Sequence, residues 1–149
     1  MSTLSIWYAP EDAEHGQLIA QAQSGKFAGR SSAWFNRSEL MEFANRLATY
    51  PLPWGMVVTL QGGYWSEAAD DGLTQIHLRL AFQPHDRTGR IRVSIILADP
   101  YEDTQADELA NSANLYFLTT YNCVSAFRQE LLALIRGESG VAQLQGGEE

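Results

Sequence analysis

The sequence predicts an α+β fold: an antiparallel sheet of about five to six strands with two helices packed on one face. Three patterns lead there. Ile76, Leu78, Leu80 and Phe82 alternate with His77, Arg79 and Ala81, and Ile91, Val93, Ile95 and Leu97 alternate with Arg92, Ser94 and Ile96, the period of half-buried strands. Leu40, Phe43, Ala44 and Leu47 recur at helical spacing behind a capping sequence. Val124, Phe127, Leu131, Leu134 and Ile135 form a second helical stripe, ended by Gly137.

From the N terminus, Ser5 to Tyr8 reads as a strand closed by Ala9-Pro10 and a polar loop through Gly16. A second strand begins near Gln17, where Leu18, Ala20 and Ala22 alternate imperfectly with glutamines. Ser24-Gly25-Lys26 marks a turn or bulge before Phe27 and the run Ser32 to Phe35. Asn36 as N-cap, Glu39 three residues later, and the Phe35/Leu40 pair predict a helix from Arg37 to about Thr49 or Tyr50, stopped by Pro51 and Pro53. Met56 to Leu60 is the next strand, followed by Gly62-Gly63 and a loop through Asp70-Asp71-Gly72.

The two alternating runs pair as a hairpin across Gln83 to Arg90. With Phe82 opposite Ile91, Leu80 faces Val93 and Leu78 faces Ile95. His77, Arg79 and Arg92 then share the opposite face. Leu115 to Tyr121 is a last strand before the final helix, so two strands and a helix precede about four strands and a helix. No internal repeat is evident. Residues 1–137 read as one domain and residues 138–149, rich in Gly, Gln and Glu, as a flexible tail.

Composition bounds the partners. Hydrophobic residues are 45% and charged residues 19%, a globular balance. The single cysteine, Cys123, permits no internal disulfide, and no apolar run resembles a signal peptide or membrane span, so a soluble cytoplasmic protein is expected. The net charge of −8 is uneven, since residues 99–149 hold nine acids against Arg128 and Arg136 alone. That field disfavours nucleic acid and admits a basic protein, while the lack of an apolar span leaves no membrane partner expected.

The densest acidic stretch is Asp99 to Glu108, with Asp99, Glu102, Asp103, Asp107 and Glu108 and no base. It lacks the alternating ligands and central glycine of an EF-hand loop, and Thr104 with Asp107 reads better as a capping pair, so no metal or cofactor is implied. A docking surface for Lys and Arg is the functional reading. Tyr64 and Trp65, beside Gly62-Gly63, form a second candidate surface, because adjacent strand residues point to opposite faces. His77, Arg79 and Arg92 are an alternative ligand face, provided that they converge on a pocket. His85-Asp86 and Glu14-His15 are turn or loop pairs rather than a base with its orienting carboxylate, and Cys123 has no positioned base. No catalytic residue is assigned.

The succession of SGKFAG, then WF, then a helix of pattern LxxFAxxL ending at YPLP, then antiparallel strands and a last helix resembles small bacterial domains of unknown function, among them immunity-like proteins of toxin systems. The resemblance spans residues 5–136 and transfers no functional residue. It implies a cytoplasmic protein that neutralises a partner by binding rather than by catalysis.

Overall fold

The computed structural model describes residues 1–65, 72–101, 110–138 and 140–147. Among them the elements run β1 (Ser2–Pro10), β2 (His15–Ser24), β3 (Phe27–Asn36), α1 (Arg37–Arg46), β4 (Val58–Trp65), β5 (Leu73–Pro84), β6 (Arg90–Ala98), β7 (Ser112–Thr120), α2 (Tyr121–Ile135) and β8 (Ala142–Gln145). The α+β class holds, but the strands number eight and form two antiparallel four-stranded sheets, ordered β3-β2-β1-β8 and β4-β5-β6-β7. The expected five to six strands in one sheet fall short because the stretch from Gln17 to Phe35, expected as one strand with a turn or bulge at Ser24-Gly25-Lys26, is two strands joined by a turn at Gly25. The segment expected as a flexible tail also supplies a strand, β8. Ala142 and Leu144 of that segment are fully buried, and β8 pairs with β1 through Leu4↔Leu144 and Ile6↔Ala142.

The β5–β6 hairpin is paired two residues from the expected register: Phe82 lies opposite Val93, Leu80 opposite Ile95 and Leu78 opposite Leu97. A shift of two keeps every side chain on its face, so the alternation alone could not distinguish the registers. Helix α1 begins as expected, with Glu39 Oε1 accepting the Asn36 N–H at 2.9 Å. It stops at Arg46 because Ala48 and Thr49 donate back three residues, to Asn45 and Arg46, tightening the last turn.

Architecture reveals the repeat that the sequence concealed. Each half is three antiparallel strands, a helix and a fourth strand, and each fourth strand joins the other half's sheet: β4 pairs with β5, and β8 with β1. The N-caps Asn36 and Thr120 lie 84 residues apart, as do Leu40 and Val124, Phe43 and Phe127, Leu47 and Leu131, and the two Leu-Gln-Gly-Gly runs at 60–63 and 144–147. Matches at this spacing are few and scattered, which is why the sequence shows no evident repeat.

Equivalent positions meet each other. A Cβ on Gly29 of β3 would stand 2.9 Å from the Ala113 Cβ of β7, its counterpart 84 residues on. Likewise Arg128 of α2 donates through Nε to Ala44 O of α1 at 2.7 Å, satisfying a carbonyl in the last turn of that helix. These two contacts mark a pseudo-two-fold axis. Around it β3 lies against β4, β5, β6 and β7 in turn, so the sheets cross rather than align. The helices pack on each other and each touches both sheets, α1 on β3 and β4, α2 on β1, β7 and β8. They therefore close the flank of the crossing, not one face of a single sheet.

Small residues permit the crossing. Gly29, Ala33 and Gly62 sit where β3 passes over the second sheet, and a Cβ at Gly62 would come within 2.7 Å of the Phe35 ring and 2.9 Å of the Ala33 Cβ. Phe82, fully buried, holds the centre between Phe43 and Phe127 at centroid distances of 5.9 and 6.2 Å. No helix among the described residues is long and apolar enough to cross a membrane.

Replacing Gly62 by Ala should overpack the crossing and cost about 1–3 kcal/mol. Gly140→Ala, with nothing within 4 Å of the new Cβ, should stay within about 0.5 kcal/mol. Urea unfolding of the two variants against the native chain checks the pair.

Candidate functional site

The candidate site is built on an irregularity in β5. Opposite β4, Gly62 pairs with Leu78 and Gly63 with Ile76, so His77 has no partner and bulges from the ladder. A second shift leaves Thr74 unpaired between Tyr64↔Gln75 and Trp65↔Leu73. Gly63 is needed there, since a Cβ on it would lie 1.9 Å from Gln75 O. His77 and Gln75, beside this irregularity, are both buried, at 5% and 7% exposure.

A polar chain accounts for that burial. His77 Nε2 and Gln75 Oε1 are 2.9 Å apart, Gln75 Nε2 donates to Tyr101 O at 2.7 Å, and Tyr101 N–H donates to Gln75 Oε1 at 3.2 Å. The Tyr64 ring meets the His77 ring edge-on at 4.5 Å. Gln75 thus clasps the backbone just after β6 and ties it to the β4 corner. Burial lowers the His77 pKa from its ordinary 6.5, so the ring is neutral at pH 7.

Of the two surfaces read from sequence, Tyr64, Trp65 and Asp99 lie at one end of the second sheet. β4 ends, β5 begins, β6 ends and β7 begins at the same end of the second sheet. Tyr64 and Trp65 stand there 45% and 62% exposed. Asp99 is close by, its N–H donating to Asn111 O at 2.8 Å and its carboxylate accepting from Asn111 Nδ2 at 3.4 Å, which gathers the two ends of the β6–β7 connection. Glu102, Asp103, Asp107 and Glu108, and the Thr104/Asp107 capping pair, lie outside the described residues. Gln75 and Tyr101 were missed because a glutamine within an apolar strand and a tyrosine within an acidic stretch carry no pattern.

His77, Arg79 and Arg92 share a face but do not converge. Arg79 is opposite Ile96 and Arg92 opposite Gln83, four residues further along β5, about 13 Å at strand rise. Arg92 lines an open groove with Gln83, His85, Ser94, Tyr116 and Leu118, and its guanidinium reaches His85 Nδ1 at 3.4 Å. Arg79 leaves its buried Nε without a hydrogen-bond partner among the described residues.

The remaining pairs are structural. Asp86 accepts from the Thr88 hydroxyl at 2.6 Å, the Thr88 N–H at 2.9 Å and the Arg90 Nε at 2.6 Å, which hold its carboxyl well below the usual range and organise the β5–β6 turn. Asp12 does the same before β2, accepting the Glu14 and His15 N–H groups at 2.8 Å. Cys123 lies in the first turn of α2, its N–H capped by Thr120 Oγ1 and its side chain partly buried against the core. No group of three His, Cys, Asp or Glu side chains able to hold a metal occurs among the described residues.

No family model, curated protein or solved structure matches this chain.

Because the unfolded His77 protonates near 6.5 and the folded one only at lower pH, the unfolded state binds more protons in that window. Stability from this group is complete above pH 6.5 and falls as the pH drops below it. Urea unfolding of His77→Phe between about pH 5 and 7.5 should show a shallower acid-side loss than the native chain.

Proposed function

We propose that this chain is a non-enzymatic protein-binding domain, immunity-like in neutralising its partner by occupancy, that docks a basic surface against the Tyr64/Trp65 end of its second sheet. One observation carries the reading. The two connections leaving that end, residues 66–72 and 99–111, contain Glu67, Asp70, Asp71, Asp99, Glu102, Asp103, Asp107 and Glu108 and no Lys or Arg. The exposed rings of Tyr64 and Trp65 stand at the same end.

Carboxylates around aromatic anchors suit a partner rich in Lys and Arg: the rings supply the desolvated centre, the carboxylates the rim and the steering field. The clasp of Gln75 on Tyr101 fixes where the acidic connection departs, limiting the ordering cost of binding. The cytoplasm is the setting we infer, in keeping with one free cysteine.

Purified protein should retain a basic protein from its native cell extract at about 50 mM salt and release it by about 500 mM. Combined Asp103→Asn, Asp107→Asn and Glu108→Gln should abolish retention, and Trp65→Ala should weaken it about 30-fold, the loss of one anchor. Retention unchanged by the neutralising triple variant would remove the reading.

A further inference from the structure

We propose a second docking surface, independent of the first: the open edge of β3, which takes an extended acidic segment of another protein as a fifth strand of the first sheet. β3 is the terminal strand of that sheet and pairs with β2 over all ten of its residues, without a bulge or proline. Arg37 N–H donates to Glu14 O at 2.7 Å, which fixes the phase of the ladder. Gly29, Ser31, Ala33 and Phe35 therefore bond towards β2, and Ala28, Arg30, Ser32 and Trp34 direct their N–H and C=O groups away from it. Long edges of this kind invite strand addition unless blunted by charge, proline or a covering segment.

The pseudo-symmetry shows what an occupied edge looks like. On β7, the counterparts of Ser32 and Trp34 are Tyr116 and Leu118, and both carbonyls are taken: Ser24 Oγ donates to Tyr116 O at 3.0 Å and Gly147 N–H to Leu118 O at 2.7 Å. Gly147 is free to do so because β8 stops at Gln145 and the chain swings onto the β7 edge. Its counterpart Gly63 is held in the β4–β5 ladder opposite Ile76. No backbone bond among the described residues meets the β3 edge in the same way. The two halves differ here, and the difference leaves one edge open.

Charge selects the occupant. From Gln17 to Ser38 the chain carries Lys26, Arg30 and Arg37 and no carboxylate. Arg30 is exposed, lies 5.5 Å over the Trp7 ring, and has no carboxylate partner among the described residues. Trp34 is 54% exposed, four residues further along the same face. A strand added here would set its own residues beside Trp34, Ser32 and Arg30, favouring a large apolar residue, then a small hydroxyl residue, then Asp or Glu at every second position. A second copy of this chain would instead bring Lys26 and Arg30 against the same charges.

The test uses the full-length chain and a labelled peptide, TVLTTTETT, beside TVLTTTKTT, read by fluorescence anisotropy. The glutamate peptide should bind about tenfold or more tightly than the lysine peptide. Ser32→Pro should abolish binding while keeping the fold, because its N–H points off the sheet edge. Arg30→Glu should invert the preference between the two peptides, a result that requires no proline at the edge. Equal affinity for both peptides, or binding undiminished in Ser32→Pro, would overturn the proposal. So would a concentration-dependent dimer in sedimentation that Ser32→Pro abolishes while neither peptide binds.

Discussion

The structure depends on how closely two strands can cross. Gly29 meets Ala113 at the pseudo-two-fold axis, and Ala33 and Phe35 rest on Gly62, so β3 passes over all four strands of the second sheet without intervening bulk. That proximity lets one core serve both sheets, with Phe82 reached by Phe43 from α1 and Phe127 from α2. Larger side chains at the crossing would lift β3 away and open voids beneath it, and interiors packed to crystal-like density transmit such displacements. The exchange of fourth strands follows from the same geometry, since each half's last strand emerges beside the other half's first.

A division of charge accompanies the division of structure. None of the eight strands contains Asp or Glu, whereas β3, β5 and β6 carry Arg30, Arg79, Arg90 and Arg92. The carboxylates among the described residues thus fall in helices and connections. An overall charge of −8 therefore conceals strands of the opposite sign. A molecule so arranged presents different fields at its loop ends and along its sheet edge.

The outer face of the second sheet shows how backbone irregularity makes a site. The bulge at His77 exists because Gly63 admits the Gln75 carbonyl, and it sets His77 under Tyr64 with Gln75 facing Tyr101. Two connections distant in sequence are thereby fastened at one end of the sheet. Buried polar groups of this kind are stable only when paired, and here His77 pairs with Gln75 and Gln75 with the Tyr101 backbone.

The sequence by itself determined the α+β class, the positions of α1 and α2, the two alternating strands of the hairpin and the concentration of acid after residue 98. Those features are local, set by the periods of 3.6 and 2, by caps such as Asn36 and Glu39, and by proline at 51 and 53. Only the tertiary structure decided the rest. A hairpin slipped by two residues has the same faces, so packing chose Phe82↔Val93 over Phe82↔Ile91. The stretch from Gln17 to Phe35 became two strands, not one with a bulge, because β2 and β3 pair with each other over ten residues across the turn at Gly25, and Ala142 and Leu144 joined the core because the edge of β1 was available. The approach of Tyr101 to Gln75 spans 26 residues, and contacts at that separation leave no periodic trace in the chain.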